Sequence, residues 1–185
     1  MRKYIDTYLN ETKRISETID RPSIEKLIGI LRRLKEKCGR LFILGIGGSS
    51  ANASHAVNDF RKIAGLEAYT PVDNVAELTA WANDNGFEYI FVNWLKVSRL
   101  NKDDVVMVLS VGGGTKNVSR NLVLAMEYAK EAGAKIVSIV SRDGGSALKL
   151  SDACVLIPVV EAKRVTPHAE GWQALLSHLI VNAIK

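Results

Sequence analysis

The chain has 185 residues and a formal net charge of +5, and 47% of its residues are hydrophobic. This length allows one domain to bury a core without disulfides or structural metal, and no apolar run is long enough to span a membrane. The N-terminus lacks the apolar segment of a signal peptide, so a cytoplasmic protein without a membrane partner is expected. Basic residues are scattered and no aromatic-basic motif is present, so no nucleic-acid partner is expected.

The first 39 residues predict a hairpin of two amphipathic helices. Asp20-Arg21-Pro22-Ser23 supplies a break and an N-cap between them, and Gly39 is expected to close the second helix. Cys38, which lies at this end, and Cys154 have no metal-ligand spacing and are expected to be reduced thiols of the core. The apolar positions at helical spacing are Ile5, Tyr8, Leu9 and Ile15, and then Ile24, Leu27, Ile28, Leu31 and Leu34.

From residue 40 onward, short apolar runs alternate with helical segments. Uniformly apolar strands are typical of a parallel sheet that helices cover on both faces. The sequence therefore predicts the α/β class, with a three-layer sandwich over residues 40–185 that forms a single domain with the hairpin 1–39. The predicted strands are 41–44, 68–70 (the weakest), 105–109, 135–140 and 154–157, and the predicted helices are 52–64, 75–83, 89–100, 117–132 and 167–184.

Two glycine-rich turns follow predicted strands. Residues 45–50 are Gly-Ile-Gly-Gly-Ser-Ser, and residues 110–115 are Ser-Val-Gly-Gly-Gly-Thr. Glycine lets the backbone approach a ligand, and the free N–H groups at a helix start attract an anion. Each turn can also be a tight connection that binds nothing, and neither is a Walker loop or a dinucleotide fingerprint. Two such turns with hydroxyls, both at the carboxyl ends of strands, favour a phosphate site.

Two predicted helices carry side chains that could perform chemistry. His55 and Asp59 are four residues apart on the helix after the first turn, so they share one face. Such a pair can bind a metal or share a proton, but it can also be an ordinary surface pair. Glu170 and His178 lie on the last helix, where a histidine among leucines can equally be a core residue. Spacing alone leaves these alternatives open.

In combination, these motifs resemble the phosphoheptose isomerases, which are sugar isomerase (SIS) domain enzymes. The resemblance covers essentially the whole chain. It implies a SIS sandwich with five parallel strands, of the flavodoxin-like type, and a homotetramer whose active sites are shared between subunits. The segments that carry it occur in the family's order: Gly45-Ile46-Gly47-Gly48-Ser49, His55 with Asp59, residues 82–87, the turn 110–117, Arg142-Asp143-Gly144-Gly145, and His178.

The resemblance also implies a role for individual residues. Asp59 matches the catalytic base of the family, and His178 matches its partner acid or base. A divalent metal, which is zinc in the family, would be bound by residues that match His55, Asp59, Glu170 and His178. The implied substrate-binding residues are Gly47, Gly48, Ser49, Asn83, Asp84, Ser110, Gly112, Gly113, Thr115 and Glu170.

Three features depart from the family pattern. Asp59 is one methylene shorter than the usual glutamate. Glu170 replaces a glutamine, and its added negative charge favours a divalent cation. The second turn has lost two hydroxyls of the usual Ser-Thr-Ser-Gly-Asn-Ser, so backbone N–H groups, with Lys116 or Arg142, would have to bind the phosphate.

Helix geometry limits how Glu170 and His178 can share one ion. Eight residues of helix rise about 12 Å. The two side chains can therefore meet only if Glu170 lies at or before the helix start, or if one of them comes from another chain. His168 and Gln173 are the nearby substitutes.

The implied activity is aldose–ketose isomerisation of a sugar phosphate in heptose biosynthesis, from sedoheptulose 7-phosphate to D-glycero-D-manno-heptose 7-phosphate through a cis-enediol. Asp59 would remove the proton beside the carbonyl, and His178 would act at the neighbouring position. The alternative is a non-catalytic SIS protein that binds a phosphosugar or a partner protein, as DnaA-initiator-associating relatives do. Four polar residues, His55, Asp59, Glu170 and His178, favour the enzyme, because a scaffold does not need them together.

Overall fold

Five parallel strands form the central sheet in a computed structural model, which describes residues 1–185. Their order across the sheet is β2-β1-β3-β4-β5, and each predicted strand agrees with an observed one to within one residue at either end. The predicted fold class is therefore confirmed. The strands are β1 (Arg40–Gly45), β2 (Glu67–Tyr69), β3 (Val105–Leu109), β4 (Lys135–Val140) and β5 (Ala153–Leu156).

Eight α-helices surround the sheet. The six-residue helix α7 is missing from the sequence-based prediction, because so short a segment carries no periodic pattern. Helix α3 begins four residues earlier than predicted and α6 three residues later. The helices are α1 (Arg2–Thr18), α2 (Arg21–Glu36), α3 (Gly48–Lys62), α4 (Val75–Asn85), α5 (Ile90–Val97), α6 (Arg120–Glu131), α7 (Gly145–Leu150) and α8 (Val165–Ile184).

Strands β1, β3 and β4 are mostly apolar because each face of the sheet packs on helices, whereas the edge strand β2 buries only Ala68. In β1, Leu41 and Ile43 belong to the core under α2, α3 and α8. Phe42 and Leu44, on the opposite face, belong to the core under α5, α6 and α7. Burial on both faces explains why the sequence shows uninterrupted apolar runs rather than alternation.

Both N-terminal helices form as predicted, but they do not pack along each other as a hairpin: α2 packs on β5 and α8, and Glu11 of α1 contacts the start of α8. Asp20 caps α2 by accepting a hydrogen bond from the Ser23 N–H at 3.2 Å. The residue in the left-handed conformation after α2 is Cys38, with φ 54°, rather than Gly39. A Cβ atom at Gly39 would clash with the carbonyl of Asp103, so this glycine is required for close packing.

The two cysteines are free thiols, but only one is near the core. Cys38 is exposed, which contradicts the expected core position, because it lies in the turn between α2 and β1. Cys154 is half-buried, and burial raises the pKa of its thiol. None of the helices is sufficiently long and apolar to cross a bilayer.

The sheet order places a crevice at the carboxyl ends of β1 and β3. From β1 the chain crosses through α3 to β2 on one side, whereas β3 continues the sheet on the other side. Ligands of open α/β sheets bind at such a switch point. Both glycine-rich turns leave the sheet here.

Candidate active site

The first glycine turn connects β1 directly to the start of α3. Gly47 caps the helix with φ 62°, a conformation that favours glycine. Ser49 follows in the first helical turn and is 1% exposed, yet its hydroxyl makes no hydrogen bond within the chain. The hydroxyl instead lines a cavity of about 540 Å³, which we call the turn cavity.

The second glycine turn is held by contacts inside the protein. Ser110 accepts a hydrogen bond from the Gly113 N–H at 3.1 Å. The carbonyls of Gly113 and Gly114 accept hydrogen bonds from Ala147 and Ser146 at the start of α7, at 2.9 and 2.8 Å. A role for Gly113 as a ligand donor is therefore not supported, because its N–H is already used. Gly112 lines the turn cavity and makes no such bond.

Arg142 supplies the only cation among the residues that line the turn cavity. It follows β4, has a left-handed backbone with φ 55°, and forms no ion pair. Ser110 and Thr115 line the same cavity, while the Thr115 oxygen also accepts hydrogen bonds from the N–H groups of Asn117 and Val118. The cavity thus combines hydroxyls and one guanidinium, which are donors that suit a phosphate group, with the carboxylate of Asp143, which accepts a hydrogen bond from the Gly145 N–H at 3.2 Å.

Helices α3 and α8 bring His55, Asp59 and His178 together. The His55 Nε2 and the His178 Nδ1 atoms lie 3.2 and 3.1 Å from the Asp59 Oδ2 atom. One ligand atom from each of the three residues lies within 4.8 Å of the others. The two imidazoles are 57% and 53% exposed, so a substrate can reach them, whereas the Asp59 side chain is 10% exposed.

The Asp59 Oδ2 atom is buried and has no hydrogen-bond partner of proper geometry, although two ring nitrogens lie beside it. A buried carboxylate oxygen without a partner is costly. The other oxygen, Oδ1, accepts a hydrogen bond from Asn58 at 3.0 Å. A catalytic zinc site uses three protein ligands, such as two imidazoles and one carboxylate, and leaves one position open toward solvent. These residues therefore fit a divalent metal.

Asn52 fixes the position of α3 against α8. Its side-chain N–H groups donate to the Glu170 carbonyl at 2.9 Å and to the Gln173 Oε1 atom at 3.2 Å. Asn52 is one helical turn before His55 on the same face. The two hydrogen bonds therefore set the register in which His55 and His178 meet.

Glu170 does not join the three residues at Asp59. It lies inside α8, which begins at Val165, and its carboxylate lies against Gly48 at the start of α3. From Gly48 to His55 the helix rises about 10 Å, which separates this carboxylate from the His55 ring. The positive end of the α3 dipole stabilises the carboxylate there. The condition that Glu170 lies at or before the helix start is thus not met.

The other predicted residues lie elsewhere. Asn83 and Asp84 are exposed on α4, where the Asn83 amide donates to the Asp84 carboxylate, and they do not line the turn cavity. Of the two substitutes, His168 is 4% exposed and lies 2.8 Å from Glu11. Gln173 is fully buried and accepts from Asn52. Neither is placed to substitute for Glu170.

The structure adds three residues to the site that the sequence did not single out. Arg142 appeared only as an optional source of charge, although its place after β4 puts it at the same sheet edge as both turns. Asn52 could have been recognised by its i, i+3 spacing from His55. Ser119 lines the turn cavity, and its left-handed φ of 51° has no sequence signal of its own.

Comparisons with known proteins identify relatives of this arrangement. The family model of the SIS domain matches residues 3–141. The phosphoheptose isomerase of Helicobacter pylori strain P12 is 30% identical over 167 residues, which cover 88% of this chain and 82% of that protein. The structure of phosphoheptose isomerase from Neisseria gonorrhoeae matches with a TM-score of 0.84 at 24% identity, over 99% of this chain and 97% of that chain.

The same fold also occurs in a regulator. The sugar isomerase domain of the RpiR transcription factor from Sphaerobacter thermophilus matches with a TM-score of 0.66 at 12% identity, over 100% of this chain and 90% of that chain. The fold therefore does not by itself decide between enzyme and regulator. From the family match and the Helicobacter relative we conclude that this chain belongs to the phosphoheptose isomerase family of SIS domain proteins.

Proposed function

We propose that the protein is an aldose–ketose isomerase that converts sedoheptulose 7-phosphate to D-glycero-D-manno-heptose 7-phosphate. The observation that carries the proposal is the meeting of Asp59 with His55 and His178. A buried carboxylate oxygen without a hydrogen bond does not stabilise a scaffold. A catalytic base, in contrast, needs an oxygen that is free to accept a proton. The relatives' names support the same chemistry.

Asp59 and His178 are the proposed proton-transfer groups. In the proposed mechanism Asp59 takes the proton from the carbon beside the sugar carbonyl, which leaves a cis-enediol. The exposed His178 ring, whose Nδ1 lies 3.1 Å from the Asp59 Oδ2 atom, donates or accepts the second proton at the neighbouring position. Asn52 holds α3 and α8 in the register that this transfer needs.

The proposed phosphate site is the turn cavity, where Ser49, Ser110, Thr115 and Arg142 converge. Ser49 and the proposed base Asp59 lie on the same helix, ten residues apart, and α3 rises about 15 Å between them. The sugar is therefore proposed to lie along α3, with its phosphate at the start of the helix.

The proposed metal ligands are His55, Asp59 and His178. A divalent ion bound there, zinc by the family resemblance, would polarise the carbonyl and hydroxyl oxygens and stabilise the enediolate. In this proposal Glu170 is not a ligand of the ion held by its own chain. It remains available to a second copy.

We further propose a cytoplasmic homotetramer in which neighbouring subunits complete the site. The two imidazoles are more than half exposed in the single chain, so the chain alone does not exclude water from them. An enediol intermediate needs such exclusion. The two N-terminal helices and the sandwich, residues 1–185, are proposed to act as one domain within each subunit.

The test uses purified protein, sedoheptulose 7-phosphate and zinc in heavy water. NMR should show deuterium entering C1 of the ketose and C2 of the aldose that appears. Asp59→Asn should lower the rate at least about a hundredfold, because it keeps the size of the side chain and removes the base. Asp6→Asn, on the exposed face of α1, is the matched control and should leave the rate unchanged.

Failure has a defined form. If wild-type protein with zinc binds the sugar phosphate but exchanges no proton, the isomerase proposal is wrong. The alternative of a non-catalytic phosphosugar-binding protein would then take its place.

A further inference from the structure

A second hollow adjoins the turn cavity, between the second glycine turn and the connection from α4 to α5. Its volume is about 390 Å³, and it shares Ile46 and Ser119 with the turn cavity. We call it the Lys116 hollow, after the residue at its rim. None of the residues used in the proposed reaction lines it, and Lys116, which the sequence offered as an alternative to Arg142 for the phosphate, lies here and not in the turn cavity.

The polar side chains that line this hollow are mainly donors. Lys116 and Arg120 form no ion pair and no hydrogen bond within the chain. Glu88 is the only acid among the lining residues, and its carboxylate lies beside Gly86. Two cations against one acid leave the hollow positively charged, which favours an anion.

Asn121 provides an independent indication of a ligand. The residue is 2% exposed, and its Oδ1 accepts a hydrogen bond from the Leu122 N–H at 2.9 Å. Its Nδ2 makes no hydrogen bond within the chain, and the residue lines the hollow. The Nδ2 atom is therefore free to donate to an acceptor that enters the hollow, while the rest of the side chain is held in place by burial and by the bond to Leu122.

We propose that the Lys116 hollow is a second phosphate subsite, next to the one in the turn cavity. A phosphoryl group accepts hydrogen bonds on three oxygens, and Asn121, Lys116 and Arg120 are the donors that would meet it. Because the hollow and the turn cavity share a wall, one ligand can fill both. The ligand class is a sugar monophosphate together with a free phosphate, or a sugar bisphosphate that bridges the two subsites, keeps its C1 end away from Asp59 and so binds as an inhibitor rather than as a substrate.

The subsite rests on these residues alone, and only its use by a sugar rests on the proposed function. Binding should be measured by calorimetry in the Asp59→Asn background, where the ligand is not consumed. Sedoheptulose 1,7-bisphosphate should bind at least about tenfold more tightly than sedoheptulose 7-phosphate, because of the added charge-assisted hydrogen bonds. If the phosphate is a separate ligand, inorganic phosphate should instead bind to protein saturated with the monophosphate.

Both the tighter binding of the bisphosphate and the binding of inorganic phosphate must depend on the Lys116 hollow. Lys116→Gln combined with Arg120→Gln should abolish whichever of these two signals the parent protein shows. Arg21→Gln combined with Lys26→Gln removes the same two charges from the exposed face of α2 and should leave it intact. Glu88→Gln should strengthen it, since the only acid is removed, and this variant keeps the test informative if the double variant fails to fold.

Two outcomes would overturn the proposal. One is the absence of both signals in the parent protein, and the other is a signal that persists in the Lys116 and Arg120 double variant. These readouts do not involve turnover. A protein that shows them but isomerises no sugar would retain the subsite and refute only the proposed activity.

Discussion

Asp59 is the proposed base of this site, and it is buried while its two histidine neighbours are exposed. Burial removes water from the carboxylate, and the imidazoles restrict what can approach it. The Asp59 Oδ2 atom lies 3.1 and 3.2 Å from the two ring nitrogens, although the side chain is shorter than the family's glutamate. The three side chains of His55, Asp59 and His178 can either bind a cation between them or exchange protons only.

Substituting His55 distinguishes these two possibilities. His55→Ala should lower the bound metal to background, because it leaves only two of the three donors, and metal analysis of the purified protein measures this. His168→Gln is the matched control, since it removes the third histidine of the chain, which lies with Glu11. Metal that stays bound after His55→Ala, or that disappears equally in both variants, would exclude the proposed ligand set.

Helix α1 is attached to the rest of the molecule by few buried side chains. Only Glu11 and Ile15 of its residues are buried. Glu11 accepts two hydrogen bonds from Arg164 and lies 2.8 Å from the His168 ring. Hydrogen bonds from Arg164, and then from His168, lower the pKa of Glu11 from 4.5 to about 2. The element is thus held by a charge cluster at the start of α8.

This cluster predicts a pH-dependent contribution to stability. The folded pKa of Glu11 is depressed, so its contribution is complete above pH 4.5 and is lost as the pH falls toward 2. Glu11→Gln should therefore lower the melting temperature at pH 7, and the difference from wild type should shrink below pH 4.5. Melting curves by circular dichroism between pH 7 and pH 3 measure it.

Glu17→Gln serves as the comparison for this experiment. Glu17 is on the same helix, with a 59% exposed side chain 3.8 Å from Lys13, and should have little effect at any pH. A Glu11→Gln difference that is constant with pH would show that the carboxylate charge does not hold α1.

The elements could be predicted largely from local patterns, whereas their contacts could not. Uniform apolar runs indicated four of the five strands, the edge strand β2 was the weakest prediction, and the i, i+4 spacing placed His55 and Asp59 on one face. The approach of His178 depends on how α8 packs on α3, which helical periodicity does not encode. For the same reason the position of the Glu170 carboxylate at Gly48 had no sequence signal.

At the scale of the whole molecule, an apolar surface surrounds the exposed imidazole of His178. Leu175 and Leu179, which precede and follow it on α8, are 45% and 43% exposed. Exposed leucines beside a polar site are typical of a surface that another protein covers.

Changing this strip should alter the mass in solution. Leu175→Glu combined with Leu179→Glu places two charges in the proposed subunit interface, and light scattering should then show a smaller species than the tetramer expected for wild type. Leu148→Glu, at another exposed leucine that is 46% accessible, should leave the mass unchanged. A wild-type protein that is monomeric at micromolar concentration would contradict the shared-site assembly.

The interlocking of the second glycine turn with α7 has one further consequence. The carbonyls of Gly113 and Gly114 accept hydrogen bonds from the N–H groups of Ala147 and Ser146, respectively. A side chain at Gly113 or Gly145 would collide with the facing backbone. The loop is thus rigid before any molecule arrives, and capture costs little conformational entropy. Recognition here is expected to follow a lock-and-key course, with unchanged backbone in free and loaded forms.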